Sequence, residues 1–452
     1  MKPIRFYIAM ISARFSYFAL KMIGRNATHL PGVIAVTIYP EVLKYLEISE
    51  NFIAVTGTNG KTSTTNMIVA FLEDQKVDLV ANLIGSNIEG GIISALLTST
   101  SFFGKNKKEM AVLEIDERAS LRIFPYIQPK VLAVTNLFRD SYSRNAHIDY
   151  IVETLETSIP KTSNLILNGD DILTSQLSIE NKRKYFSIAP LEDELEVKDS
   201  IIQDTPYCPK CHYPLTYDFQ RHHHIGKVHC ENCGFSNEEA DFQIIEVNEN
   251  IIKLKEKDNI YEYKNTTENL TDNYNKLAAI SVLREIGYQH KTIQAYFNNL
   301  KTVESRFDEI IVDGRRYVTI LAKDQNPVAN SRVFDFIKGQ TAWNKTTIVI
   351  MNEAHGYTKT VNFAENTAWL YDANFEYLNS PNIQKIYCVG SRAYDYQSRL
   401  VLAGIAESKI VATKSKPKLK EDFDTVIILH STKNIDDAFS YRNKLINKGD
   451  QL

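Results

Sequence analysis

The chain contains no run of about 18 or more apolar residues, so no transmembrane helix is expected. It has no excess of either charge. Its 52 Lys and Arg against 55 Asp and Glu leave a net charge of −3, which gives no electrostatic case for nucleic acid. Internal repeats and low-complexity segments are missing too. The first 24 residues have no uninterrupted apolar core and no small-residue cleavage site, so they make a poor signal peptide, and a cytoplasmic protein is expected. What is present is ordinary for a soluble globular protein: 44% hydrophobic and 24% charged residues. At 452 residues the chain exceeds a single ordinary core, so two or three domains are expected.

The most informative stretch begins at the apolar run Phe52 to Val55, which reads as a buried parallel strand. It breaks at Gly57, passes through Thr58, Asn59, Gly60, Lys61 and Thr62, and continues as a helix to Leu72. Strand, glycine turn and helix together make a phosphate cradle. Glycines let backbone N–H groups approach the phosphate oxygens, and the helix N-terminus adds partial positive charge. Lys61 is placed to reach the β- and γ-phosphates of ATP, and the Thr62 hydroxyl to ligate magnesium. Only two residues separate Gly57 from Gly60, where the usual P-loop has four.

Further strand-like runs follow at Val77–Leu83, Met110–Ile115, Val131–Leu137 and Leu165–Asn168, with helical patterns between several of them. Repeated β-α units imply a mostly parallel sheet with ligands at the carboxyl ends of its strands. Two such ends carry polar residues. Glu114, Asp116 and Glu117 close one strand, and one of them is suited to a second contact with magnesium. Asn136 and Asp140 follow the next strand.

Between 201 and 240 the composition changes. Cys208 and Cys211 form one Cys-x-x-Cys pair and Cys230 and Cys233 another, with 18 residues between the pairs. This spacing marks a zinc ribbon, and four thiolates leave no open coordination position, so the site reads as structural. His222, His223, His224 and His229 are surplus and are expected as exposed loop residues. Committing four of five cysteines to a metal fits a reducing compartment, and Cys388 in an apolar run is expected to be a small buried hydrophobe. After Lys301 the β-α alternation resumes, enough for a second α/β domain. The N-terminal segment mixes Arg5, Arg14, Lys21 and Arg25 with apolar residues. It reads as an amphipathic helix, either packed on the body or lying at a membrane interface near a membrane-bound substrate.

The short loop of 57–62 resembles that of the Mur ligases and folylpolyglutamate synthetases. Together with the four-cysteine ribbon and a smaller C-terminal domain, it resembles MurT, the Mur-ligase-like subunit of lipid II isoglutaminyl synthase. The resemblance runs along most of the chain, through Thr28–Ala35, Val112–Glu117, Thr135–Asp140, Asn168–Asp170, Tyr274–Ala279, Asn326–Val328 and Trp369–Glu376. It implies an α/β fold with a Mur-ligase-type central P-loop domain and a parallel sheet. The expected segments are an N-terminal one at 1–45, the central domain at 46–300 with its ribbon at 201–240, and a partner-binding domain at 301–452. It further implies that ATP phosphorylates the D-glutamate α-carboxylate of the lipid II stem peptide at the membrane surface. Ammonia from a GatD-like glutamine amidotransferase would then produce D-isoglutamine. Lys61 and Glu114 would be catalytic, with Thr62 and Glu114 on magnesium. Asn275 would lie against the adenine and Arg306 near the γ-phosphate.

Some positions depart from the family. Asn366 stands where the family carries the aspartate that orients the partner's catalytic histidine, with Glu365 adjacent. Ser143, Asp272 and Ala329 differ as well. These departures describe a divergent member, or a paralogue with a different amide acceptor. Two other functions remain open: a stand-alone ligase joining an amino acid to a carboxylate, and a nucleotide-binding scaffold for an amidotransferase. No segment matches the carbamylated lysine that stand-alone Mur ligases usually carry.

Overall fold

The run Phe52–Thr56 is buried at every position, as a strand with helices on both sides must be. It is the first strand in chain order and lies third from one edge of the nine-stranded sheet in the larger of two units. The computed structural model describes residues 2–83, 86–139, 147–191, 194, 200–267, 269–299, 307–323, 325–351 and 367–448. Contacts divide the chain into a first unit, comprising the described residues of 1–138, 147–198 and 205–302, and a second comprising those of 139–146, 199–204 and 303–452.

In the first unit the order is α1 (Ile4–Met22), α2 (Leu30–Ile38), β1 (Phe52–Thr56), α3 (Lys61–Asp74), β2 (Leu79–Ala81), α4 (Glu89–Ser99), β3 (Met110–Glu114), α5 (Ser120–Ile123), β4 (Val131–Val134), α6 (Ile148–Ser158), β5 (Asn164–Asn168), α7 (Ile172–Ser175) and β6 (Arg183–Ile188). The ribbon hairpin β7 (Thr216–His222) and β8 (Ile225–His229) follows, then β9 (Phe242–Val247), β10 (Ile251–Glu256), β11 (Asn259–Lys264), α8 (Leu270–Glu285) and α9 (His290–Phe297). The nine-stranded sheet runs β11-β10-β9-β6-β5-β4-β1-β3-β2. It is parallel from β2 to β9 and ends in an antiparallel meander. The chain therefore returns to this sheet after the ribbon.

Helix boundaries follow local chemistry. Asn269 caps α8 by accepting from the Thr271 N–H at 2.9 Å, and Gly287 at φ +103° closes its far end. Residues Asn273 to Leu283 of α8 are all buried, because the helix packs on α3 and on β4, β5, β6 and β9. At the N-terminus, α1 buries Phe6, Ala9, Met10 and Ala13 in the same core as β1 and α4. The Arg14 guanidinium donates to the carbonyls of Leu97, Thr100 and Ser101, where the negative end of the α4 dipole favours a cation. No helix among the described residues is long and apolar enough to cross a membrane.

The second unit contains β12 (Phe307–Val312), β13 (Arg315–Leu321), α10 (Pro327–Gly339), β14 (Thr346–Ile350), β15 (Ile383–Val389), α11 (Ala393–Leu402), β16 (Ile410–Thr413), β17 (Thr425–His430) and α12 (Ile435–Lys448). Its sheet, β12-β13-β17-β14-β15-β16, is parallel except for the edge pair β12–β13. Side chains alternate between two cores, as period-2 geometry requires. Ile348, Ile350, Ile427 and Leu429 meet α10 and α11, whereas Val349, Val426 and Ile428 meet α12. Cys388 is fully buried on the first face, and burial pushes its thiol up to about 12, as befits an inert apolar residue. In this unit the Arg139 guanidinium bonds Asp204 at 2.5 Å and Asp372 at 2.9 Å.

Candidate active site

The loop between β1 and α3 takes its shape from two glycines and three neighbouring segments. Gly57 sits at φ +121° with Thr135 and Asn136 pressed against its α-carbon, and Gly60, at φ +85°, faces the Asn275 carboxamide. A side chain at either position would collide with these groups, so both residues must be glycine. The segment after β4 then ties the loop down. The Thr58 N–H donates to Asn136 O at 2.7 Å, the Asn59 N–H to Asn136 Oδ1 at 3.0 Å, and the Thr135 hydroxyl to Asn59 O at 2.6 Å. Behind it the Thr64 hydroxyl donates to Asn275 O at 3.5 Å, joining α3 to α8. The turn is thereby held at the N-terminus of α3, the end of a helix whose partial positive charge favours an anion.

Three charged residues, Lys61, Glu114 and Glu117, complete the site. The Lys61 ammonium donates to Gly57 O and lies 3.3 Å from both Thr58 O and the Glu117 carboxylate, with side-chain exposures of only 11% for Lys61 and 9% for Glu117. The Thr62 hydroxyl donates to Glu114 Oε2 at 2.8 Å, and Asn87 Nδ2 donates to the other oxygen at 2.8 Å. The Glu114 backbone is held on both sides by the Asn82 side chain at 2.8 Å. Glu114, Asp116 and Glu117 are all buried at the end of β3. A hydroxyl and a carboxylate converging from the helix N-terminus and the adjacent strand form a hard-oxygen donor set of the kind magnesium takes beside a nucleotide.

The structure places Thr62 against Glu114 and Lys61 against Glu117. Asn275 is buried with its side chain against Gly60. Arg306, Asn366, Glu365, Asp140 and Ser143 lie outside the described residues. Three contributors were not assigned a role from sequence. Glu117, the counter-ion of Lys61, was one of three equivalent carboxylates. Asn82 and Asn87 stand in a loop with no motif to mark them.

The four cysteine sulfurs lie within 4.8 Å of one another, with Cys208 and Cys233 at 3.6 Å and Cys211 and Cys230 at 3.5 Å. A tetrahedron with zinc–sulfur bonds of ~2.3 Å has edges of ~3.8 Å, so the cluster fits zinc. Each knuckle is closed by the backbone: the Cys208 N–H donates to Tyr213 O and the Cys230 N–H to Phe235 O.

The histidine expectation fails at the other end of the ribbon. His223 and His224 are buried rather than exposed, and all three of His222–His224 contact the Phe138 ring. The cause is the hairpin tip, which packs on the end of β5, where the Gly226 N–H donates to Asp170 O at 2.9 Å. His224 Nε2 lies 3.3 Å from Asp171, whose carboxylate caps α7 and accepts from the Leu137 N–H at 2.6 Å. Burial pushes this carboxyl up, but His224 and the hydrogen bonds outweigh burial and hold it below its usual value. Next to it, Arg221 of β7 donates to Asp170, Glu194, Ala189 O and the Tyr274 hydroxyl. Tyr274 precedes Asn275 on α8, so the ribbon connects to the residue beneath Gly60.

Residues 55–206 match the Mur ligase middle domain and residues 323–436 the MurT ligase C-terminal domain. The chain is 32% identical over 416 residues to the lipid II isoglutaminyl synthase (glutamine-hydrolyzing) subunit MurT of Staphylococcus aureus (strain N315), covering 90% of both proteins. The chain belongs to the MurT family. The MurT subunit of Streptococcus pneumoniae (strain ATCC BAA-255 / R6) is 30% identical over 416 residues, covering 90% of this chain and 89% of that protein. Solved structures carry the same fold at lower identity. A pseudomurein peptide ligase type C from Methanothermus fervidus superposes with a TM-score of 0.65 at 17% identity, over 90% of this chain and 81% of that one. MurF from Acinetobacter baumannii gives 0.58 at 13% identity, over 91% and 80%. Membership of the MurT family makes this a peptidoglycan-synthesis ligase of the Mur type, and that fold implies ATP use.

Proposed function

We propose that the chain is the ATP-using subunit of a glutamine-hydrolysing lipid II isoglutaminyl synthase, acting at the inner face of the membrane with a GatD-like glutaminase. The observation that carries this reading is the loop with Lys61 on Glu117 and Thr62 on Glu114, in a chain with a MurT C-terminal domain. The acceptor is the D-glutamate α-carboxylate of the stem peptide. A carboxylate is a poor electrophile, so a carboxylate oxygen first takes the γ-phosphoryl group and ADP leaves. Ammonia then attacks the acyl carbon, phosphate departs with the C–O electron pair, and the nitrogen loses a proton to leave the amide.

Phosphoryl transfer requires positioning and charge stabilisation more than covalent help. Lys61 supplies a cation to the transferring group, and the loop N–H groups align the phosphates. Thr62 and Glu114 would hold magnesium, which screens phosphate charge when bound. Asn275 and Arg306 complete the proposed nucleotide site. Cys208, Cys211, Cys230 and Cys233 would bind a structural zinc, away from the chemistry.

Co-expression with a glutaminase of the GatD type, followed by mass spectrometry of lipid II, tests the assignment. Conversion of the carboxyl to the carboxamide, dependent on ATP and glutamine, is the expected result. ATP-dependent joining of a free amino acid would instead identify a stand-alone ligase, and absence of ATP turnover a scaffold. Asn366 would face the partner's histidine without a negative charge. Replacing a triad aspartate by asparagine costs about 10⁴ in a serine protease, and a cysteine nucleophile is less demanding. Asn366→Asp should therefore raise ammonia release by the complex without altering ATP binding. Unchanged release would show that the position does not orient the histidine.

A further inference from the structure

The outer face of α1 is a continuous apolar stripe. Ile4, Ile8, Ile11, Phe15, Phe18 and Met22 recur at alternating spacings of four and three, and all are exposed, Met22 at 88%, Ile4 at 79%, Phe15 at 75% and Phe18 at 64%. At 3.6 residues per turn these six fall within about 40° of one line, opposite Phe6, Ala9, Met10 and Ala13, which face the core. The stripe is about 27 Å long at 1.5 Å per residue. Along its edge Tyr7 packs on Phe102 and Phe103, and Phe103 is itself 60% exposed. A single exposed apolar residue is unremarkable, but an ordered row of this length on a helix anchored from behind marks an interaction surface.

Charge decides between a lipid surface and a second copy of the helix. The chain has no acidic residue before Glu41, whereas Lys2, Arg5, Arg14, Lys21 and Arg25 are all basic. Lys2 and Arg14 are engaged with backbone carbonyls of the body, and Arg5, Lys21 and Arg25 are exposed. In a helix pair built on this seam, the flanking positions would be Arg5, Ser12 and Ala19 on one side and Tyr7, Arg14 and Lys21 on the other. Such a pair would bring cations together with no carboxylate to offset them, whereas paired helices usually place opposite charges there. An anionic bilayer supplies the missing charge and takes up the apolar stripe at the same time.

We infer that α1 docks this face on an anionic lipid surface, with Phe15 and Phe18 entering the headgroup–acyl boundary and Arg5, Lys21 and Arg25 meeting lipid phosphates. The inference deepens the proposed function and rests on its membrane-bound acceptor, since it places the ATP unit beside that acceptor.

The test is co-sedimentation of the full chain with vesicles of phosphatidylcholine alone, or of phosphatidylcholine and phosphatidylglycerol in equal parts. The chain should bind the mixed vesicles, more weakly as salt is raised. Phe15→Ser with Phe18→Ser should reduce that binding ~10-fold or more, and Arg5→Gln with Lys21→Gln should reduce it on the mixed vesicles alone. All four side chains are exposed, so both variants should keep the unaltered melting temperature. Absence of binding by the full chain, or equal binding by the phenylalanine variant, overturns the proposal. So does a dimer in sedimentation velocity that the phenylalanine variant dissociates. Amidation of lipid II dispersed in neutral detergent, without an anionic bilayer, separates the two readings: its failure in the unaltered complex refutes the proposed function, while the vesicle result alone decides the fate of the docking surface.

Discussion

Replacing Arg221 by methionine should destabilise the first unit selectively. The guanidinium makes five hydrogen bonds, to Glu194 twice, to Asp170, to the Tyr274 hydroxyl and to Ala189 O, and its side chain is 2% exposed. Asp170 and Glu194 are themselves nearly enclosed, at 8% and 12%. Removing one partner from such a group leaves buried charge uncompensated, at a cost of about 3–5 kcal/mol. That is a large share of the 5–15 kcal/mol that typically holds a domain. Burial already pushes the Asp170 carboxyl up to about 6, with Arg221 the leading influence holding it down. In the variant it should rise further. A raised carboxyl pKa makes the folded state bind more protons than the unfolded one, so stability falls as pH climbs through the window. The penalty should therefore be larger at pH ~8 than at pH ~5.

The assay has an internal control, because both tryptophans, Trp343 and Trp369, belong to the second unit. In urea, tryptophan fluorescence should report an unmoved transition while far-ultraviolet circular dichroism shows an early one. Adding Asp170→Asn should recover part of the loss, the coupling that a double-mutant cycle isolates. A loss below about 1 kcal/mol, the ordinary worth of an exposed pair, would refute the reasoning, as would equal shifts in both signals.

Lys61→Ala should lower ATP turnover by ~10²-fold or more with the fold intact, and unchanged turnover in a phosphate-release assay would remove the loop from the chemistry. Cys230→Ser should lower zinc content, measured by atomic absorption, together with melting temperature; full occupancy would exclude the four-thiolate site. Burial, helped by Lys264, holds the Lys276 ammonium down to about 8. The unfolded chain therefore binds more protons between that value and the usual ~10.4, and stability should rise with pH across the window by ~2–3 kcal/mol. Lys276→Met should abolish that increment in melts taken at pH ~8 and pH ~10.5.

The parts of this protein that were readable beforehand are those where local chemistry and long-range packing agree. A strand with both faces covered must be apolar throughout, so Phe52–Val55 and Val131–Val134 announce themselves. Gly57 and Gly60 are required by the collisions a side chain would make, and two Cys-x-x-Cys knuckles can enclose little but a metal. Other elements depend on partners distant in sequence. The strands Arg183–Ile188 and Phe307–Val312 carry charges among their apolar residues, which masks the pattern. His223 and His224 look like solvent-exposed residues until Asp171 and Phe138 are brought against them. The Lys61–Glu117 pair spans 56 positions, and nothing at Glu117 distinguishes it from Asp116 except the direction in which β3 ends.

The ribbon hairpin is inverted relative to the usual expectation for an insert, whose turn is its free end. Here the turn at His223–His224 is enclosed, whereas Pro209, Lys210, Glu231 and Asn232 at the knuckles are exposed. Drift in length along this lineage should therefore accumulate at the metal end, where residues can be gained or lost without disturbing the sheet. The turn admits neither. A single extra residue there would displace Arg221 and His224 from the adjacent Asp170 and Asp171 together. For the same reason, fluorescent labels and affinity tags belong beside the cysteines, at the exposed knuckle end of the insert.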